Sequence, residues 1–489
     1  MNKLKHQERL AGDGIQRQTN SAAIPKGITA FFWVFFLSSL AGLVYFYSGA
    51  PQWNYNTLFR VNGFTALICA TVAFFSAIVG TYSLRYLKGF RYHNRFMFLC
   101  LGFTLSVTAL VLSEHLLVFV LSWTAMGLFM ARLIGVNRSW GEAREALKFT
   151  QRYFLSGSAL LGLGIALLAY QSGQNTVSGL MNALVDLPMW TLVLSGLLVI
   201  VAAMIQSAIY PFHRWLLSSM TAPTPASALM HAGFVNGSGI LLALFSTLIF
   251  ASHTLDLLFV IGGLTAVIAQ FTKLLQVNVK QKLACSTIAQ MGFMIMQCGL
   301  GFFNAAVAHL ILHGFYKAYL FLSSGEEITY SVPQSPPNIR IKPIQAIAVL
   351  IFGTLGAGLF IFLTGKGTQA DSSIFLTLIV AIAVGQITYN IVKQQILTGV
   401  QKILLPSILF VSGIGLYALL YNGVTQLMSD LPLVAVPTPL TALEIGFGLV
   451  FLIGFFIMKL GIYRQVPWLY VKLLNLSQPF KKSILTYKS

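Results

Sequence analysis

Charge is what this sequence has least of. Of 489 residues, 31 are Lys or Arg and 12 are Asp or Glu, so 9% are charged, against about 25% in ordinary soluble proteins. A soluble chain of this length would fold as roughly two to four domains, and so few charges cannot coat them. That argues against a soluble enzyme, a disordered chain and a nucleic-acid binder, although the formal net charge is +19. Cysteine is scarce too: Cys69, Cys100, Cys285 and Cys298 each lie in an apolar stretch, and none forms a CxxC pair. Neither a zinc nor an iron–sulfur site nor a disulfide framework is indicated. There is no GxxxxGK[ST], no GxGxxG entering a helix, no HExxH and no carboxylate pair suited to hydrolysis. No cofactor or metal is expected in this chain, and no enzymatic activity. A cleavable leader is not expected either: residues 1–27 are polar and basic, and the run that follows has no small-residue cleavage site.

What is present is apolar. Hydrophobic residues make up 56% and mean hydropathy is +0.78. A helix needs about 20 apolar residues to cross the hydrocarbon core. Fourteen runs qualify, near 28–48, 62–82, 96–112, 114–134, 149–170, 190–210, 225–250, 255–272, 284–301, 303–324, 343–364, 372–392, 403–422 and 440–463. The expected fold is an all-α polytopic membrane protein with some fourteen transmembrane helices. It comprises a cytoplasmic tail (1–27), one transmembrane domain (28–463) and a second cytoplasmic tail (464–489). With the N-terminus inside, only Arg60 and Lys366 fall in outside loops and only Arg152 and Lys317 within spans; every other Lys and Arg faces inside. This follows the positive-inside rule and puts both termini in the cytoplasm. The net charge then reflects topology and anionic lipid, not nucleic acid. The most loop-like interior stretch, Ser331 to Lys342, is expected to separate two bundles.

Ionisable groups at bilayer depth cost about 2.5–3.5 kcal/mol on insertion scales and usually face a cavity or a partner. The tenth run carries His309, His313 and Lys317 at i, i+4 and i+8. At about 100° per residue they drift only about 40° each and share one face over about 12 Å. Histidine titrates near neutrality, so such a column can relay protons; the structural alternative is a polar seam satisfied by neighbouring helices. A second feature runs from Gln206 through Pro211, His213 and Trp215 to Pro223, Pro225, His231 and Asn236. Its prolines stop one helix and restart another, and broken helices with polar groups at depth are typical of ion pathways; the bland reading is a re-entrant turn with packing glycines. Lys280 and Lys282 open the ninth run and either join the pathway or mark the cytoplasmic face. Glu444 lies in the last run, where coupling, pairing with a lysine and carrying a proton are all open.

Three segments, Met220-Thr-Ala-Pro-Thr-Pro-Ala-Ser-Ala-Leu-Met-His231-Ala, Leu283-Ala-Cys-Ser-Thr-Ile-Ala-Gln-Met-Gly292 and His309-Leu-Ile-Leu-His-Gly-Phe-Tyr-Lys-Ala-Tyr-Leu-Phe-Leu-Ser-Ser-Gly325, resemble the proton-conducting subunits of respiratory complex I and of Mrp-type antiporters. The resemblance covers residues about 60–330. Within it, His231-Ala-Gly-Phe-Val-Asn236 is most similar to the DabB family, the membrane subunits of two-component inorganic carbon accumulation systems. The resemblance implies two inverted five-helix repeats with broken helices, in a core of about 96–392. It implies a proton pathway of His231, Lys280, His309, His313 and Lys317. It also implies a DabA-like cytoplasmic partner that resembles a β-type carbonic anhydrase and carries zinc, in a bacterial cytoplasmic membrane. Protons, or another cation such as Na+, would run inward to drive CO₂ hydration to bicarbonate.

The sequence departs from the superfamily in its first half. The Trp-Glu-Gly pattern reads Trp123-Thr124-Ala125, the Lys-Ser-Ala-Gln-Leu-Pro pattern reads Gln206-Ser-Ala-Ile-Tyr-Pro211, and the aspartate of Arg-Val-Gly-Asp is Leu155. A Glu–Lys charge switch is therefore missing, and the expectation is either a single conduction route through the second half or a different ion or coupling scheme in the first. Lys366 is a stand-in for a later lysine of the complex I subunits. Two other readings stay open: a module of a complex I relative or Mrp-type exchanger, and a non-conducting anchor for a soluble enzyme.

Overall fold

A computed structural model describes residues 23–324, 343–392, 397–460, 463 and 465–483. The expected bundle separator, Ser331 to Lys342, and the chain ends at 1–22 and 484–489 lie outside the described residues. Each of the fourteen apolar runs is mostly helical over its described residues. Those up to the sixth form α1 (Ala23–Tyr47), α2 (Gly63–Tyr86), α3 (His93–Leu112), α4 (Leu116–Ile134), α5 (Gly141–Ser172) and, after the short α6 (Val177–Ala183), α7 (Met189–Gln206). Among the described residues, eleven helical stretches are long and apolar enough to cross a membrane, and two shorter apolar helices accompany them. The protein is a multi-pass helical membrane protein.

Helix boundaries follow capping chemistry. Asn62 accepts from the Thr65 amide at 3.0 Å while Thr65 Oγ1 accepts from the Asn62 amide at 2.9 Å, a reciprocal cap that starts α2. The stretch after α7 is irregular, as its prolines demand. Residues 207–213 are non-helical, α8 (Arg214–Ser218) is a single turn, and the seventh run is split. Its pieces are α9 (Thr224–Ala232), a 3-10 turn at Phe234–Asn236, α10 (Gly237–Leu244) and α11 (Ser246–Ala251).

The second half continues with α12 (Leu255–Leu274), α13 (Val279–Gly299), α14 (Phe303–Ser323), α15 (Pro343–Thr364), α16 (Ser373–Val392), α17 (Gly399–Leu427), α18 (Ala442–Leu460) and α19 (Pro467–Leu476). Helices α12 and α13 form the tightest pair. A Cβ on Gly292 would stand 2.7 Å from the Ala266 nitrogen, and one on Gly299 only 2.3 Å from the Phe259 nitrogen. Lipid offers no hydrophobic drive between helices, so such backbone contact is what holds them together.

One element was not expected from an all-α reading. Residues Trp53–Tyr55 (β1) and Phe59–Val61 (β2) form an antiparallel hairpin between α1 and α2. Arg60 on β2 pairs with Glu114 in the α3–α4 turn, Nε to Oε2 at 3.3 Å. Glu114 Oε1 accepts from the Ser178 amide at 2.9 Å and from the Ser178 hydroxyl. The extra-membrane end of the first half is thus pinned by one buried carboxylate.

Candidate functional site

The site is built on α14. His313 and Lys317 are buried, at 5% and 0% exposure, and His309 is half-buried. The His309 and His313 rings stack with centroids 6.2 Å apart and planes at 13°, as the i, i+4 spacing requires. Gly314 lets α14 approach its neighbours, since a Cβ there would come within 3.0 Å of the Ala232 carbonyl at the end of α9.

Two helices meet at a single carbonyl, and a third joins them through Thr287. Lys317 Nζ donates to the Leu283 oxygen at 3.0 Å, and Thr287 Oγ1 lies 3.1 Å from the same oxygen. His231 Nδ1, from α9, lies 2.9 Å from Thr287 Oγ1, and its ring stacks on Phe321 of α14 at 4.3 Å. If the threonine proton goes to Leu283, His231 Nδ1 must be the donor, and the neutral imidazole presents an unprotonated Nε2. That Nε2, both ring nitrogens of His313 and Nε2 of His309 have no hydrogen-bond partner among the described residues. Leaving a buried polar atom unmatched costs about 1–3 kcal/mol, so this cluster keeps open capacity to take up and pass protons.

Lys280, in the first turn of α13, donates to the Ala222 oxygen at 3.0 Å, beside the prolines of the broken segment. Asn236 donates from Nδ2 to the Ala232 oxygen at 2.7 Å and the Leu310 oxygen at 3.2 Å, tying the break in the seventh run to α14. A cavity of about 430 Å³ lies between α12, α13, α16 and α18, with Gln270, Lys273, Gln290 and Phe293 on its walls. The Phe293 ring meets His309 edge-on at 5.2 Å, so one aromatic ring borders both the cavity and the column.

The first-half candidates Thr124, Gln206 and Leu155 carry no charge. Thr124 Oγ1 bonds its own helix at Val120 O, 2.8 Å away. Gln206 Nε2 donates to the Phe234 oxygen at 3.1 Å, one of the carbonyls freed by the break; Ser207 bonds Val235 O and Ser238. Leu155 is 41% exposed on the outer surface.

The remaining sequence candidates sit apart from the column. His213 Nε2 lies 2.7 Å from the Leu476 oxygen on α19. Lys366 is in the turn after α15, with Nζ 5.2 Å from the Phe302 ring centroid. Glu444, expected inside the last span, is in the first turn of α18. Its carboxylate accepts from the Thr441 amide at 2.9 Å, and Thr441 Oγ1 accepts from the Glu444 amide at 3.2 Å. It is a helix cap, and none of the ion pairs found among the described residues involves it. In the sequence Thr287 stands out only as part of a motif; its i, i+4 relation to Leu283 is visible there, its contact with His231 across 56 residues is not. No group of three or more His, Cys, Asp or Glu that could hold a metal occurs among the described residues.

Residues 113–341, which contain the whole column, match the family described as "NADH:quinone oxidoreductase/Mrp antiporter, TM". Over that stretch the chain is similar to this antiporter-like family. A Bacillus anthracis protein named "Probable inorganic carbon transporter subunit DabB" is 37% identical over 329 residues, 66% of this chain and 63% of that protein. The chain thus spans less than two thirds of that relative's length. A Hydrogenovibrio crunogenus protein with the same name is 29% identical over 453 residues, 87% of this chain and 81% of that protein. The Mrp complex of a Dietzia species superposes with a TM-score of 0.63 at 23% identity, over 89% of this chain and 55% of that one. The antiporter-like fold therefore extends well beyond the matched stretch.

Proposed function

We propose that this antiporter-like chain is the membrane subunit of an inorganic carbon accumulation complex. It carries protons, or another cation such as Na+, inward through its second half to energise CO₂ hydration to bicarbonate. The hydration is catalysed by a cytoplasmic, zinc-bearing, DabA-like partner. The chain sits in the bacterial cytoplasmic membrane with both termini inside, a placement supported by the distribution of its basic residues.

The observation that carries the reading is the convergence of Lys317 and Thr287 on the Leu283 carbonyl, with His231 bonded to Thr287. His309 and His313 accept a proton on one ring nitrogen and release one from the other. Lys317 holds the charge at the far end of that column, and Thr287 links it to His231. In the first half Thr124 and Gln206 hydrogen-bond but hold no net charge, so no switch operates there.

The test is a pH-sensitive dye trapped in vesicles bearing the chain with its co-purified partner. Lys317→Ala is expected to cut partner-dependent proton entry by at least about tenfold; unchanged entry overturns the reading. A non-conducting anchor is favoured by one observation, the commitment of Gln206 to the Phe234 carbonyl. It predicts no dye response in wild type. Co-purification of several small membrane chains, rather than one soluble zinc protein, points to an Mrp-type or complex I-related assembly.

A further inference from the structure

The C-terminal helix carries a feature that conduction does not use. Helix α19 reads Pro-Trp-Leu-Tyr-Val-Lys-Leu-Leu-Asn-Leu and has no acidic residue. Trp468, Val471, Lys472 and Asn475 recur at i, i+3, i+4 and i+7, one face of the helix. Trp468 and Val471 are 67% and 52% exposed. This face forms one wall of a pocket of about 520 Å³, and Arg214, which opens α8, stands on the other.

Both walls are fixed from behind. Leu476 O bonds His213 Nε2 at 2.7 Å, and the Phe480 amide donates to Ser218 Oγ at 2.8 Å. The Phe480 ring stacks on Phe149 of α5 at 4.3 Å with planes only 4° apart. The pocket is preformed, yet neither of its two cations is in an ion pair found among the described residues, and nothing acidic lines it.

We propose that this pocket binds the headgroup of an anionic glycerophospholipid. The forked Arg214 guanidinium suits two phosphodiester oxygens, and Lys472 adds a point charge. The Asn475 amide can donate to a glycerol oxygen. Indoles favour headgroup level in membranes, where Trp468 offers both a flat apolar face and an N–H. Val471 and Pro467 give the acyl chains an apolar wall. Two unpaired cations beside an exposed tryptophan and valine match a lipid, which is anionic at one end and apolar at the other; an acidic protein segment would leave Trp468 and Val471 uncovered. A lipid held there bridges α8 and α19 beside the irregular segment after α7. This inference rests on the chain being a membrane protein and is independent of proton conduction.

The test uses the full chain in nanodiscs containing phosphatidylcholine with a minor share of phosphatidylglycerol, with retained lipid counted by native mass spectrometry after detergent release. Wild type is expected to retain phosphatidylglycerol in preference to phosphatidylcholine. Arg214→Gln combined with Lys472→Gln is expected to lower that retention about twentyfold, and Trp468→Ala to lower it less. Lys88→Gln with Arg91→Gln, a basic pair elsewhere, leaves it unchanged. Size-exclusion behaviour like wild type establishes folding, and Trp468→Ala serves if the double variant fails it. Equal retention of both lipids, retention unaffected in the variants, or loss of a soluble protein in place of lipid overturns the proposal.

Discussion

Lys317 and Thr287 lie on different helices yet share one acceptor, the Leu283 carbonyl, at 3.0 and 3.1 Å. A lysine head inside a membrane bundle pairs with another ionisable group or with a backbone carbonyl. Here it rests on a peptide oxygen within hydrogen-bond range of the group that holds His231, so a change at Lys317 reaches His231 through a single residue.

That relation makes Thr287 separable from the titratable groups. Thr287→Val keeps shape and removes the hydroxyl. It should cost about 1 kcal/mol of stability, lower dye-reported proton entry several-fold and leave the fold intact. Thr287→Ser should restore entry. If valine and serine behave alike, the hydroxyl is not part of the route.

Phe293 borders both the cavity of about 430 Å³ and His309. Phe293→Ala removes that wall and should raise proton leak in vesicles lacking the partner, whereas Phe293→Leu should change it little. Leak that is the same in both variants removes Phe293 from any gating role.

Glu114 and Arg60 offer a control on the first half. Their side chains are 8% and 16% exposed, and breaking a buried pair costs about 3 kcal/mol or more. Glu114→Ala should lower the midpoint of thermal unfolding in detergent by several degrees, since Arg60 and Ser178 lose their shared partner. Proton entry per folded molecule should stay at the wild-type level; a loss there would bring the first half into the conducting route.

The α12–α13 pair should be intolerant of side chains. Gly299→Val places atoms against the Phe259 backbone, 2.3 Å from where its Cβ would sit. Helix α13, which carries Gly299, cannot yield without moving Leu283 and Thr287. Folded yield should fall sharply, and surviving protein should have lost proton entry. Gly358→Val, in open space on α15, is the matching control.

The sequence made some of this legible and hid the rest for definable reasons. Runs of apolar residues revealed the helices because the bilayer allows little else, and prolines 211, 223 and 225 marked the irregular stretch because their rings forbid continuous helix. The His309–His313–Lys317 column followed from helical period alone. What escaped depends on contacts between distant segments. The period of α13 could not say that Thr287 meets His231. Nothing near Glu114 indicated Arg60, 54 residues earlier. Leu155 was located by pattern, but the phase of α5 turns it outward. Glu444 counts as intramembrane by position and as a cap by geometry, because the first turn of a helix offers free amides that a carboxylate satisfies.

The hydrogen bond from Gln206 to the Phe234 oxygen has a consequence for charged substitutions. A lysine introduced there by itself would install a cation beside a peptide dipole with no anion to answer it, and a glutamate introduced at Thr124 by itself would do the opposite. Each intermediate bears a lone charge in hydrocarbon, at about 2.5–3.5 kcal/mol, before the second change can repay it. Neutrality in this half is therefore resistant to any single charged substitution at these two positions.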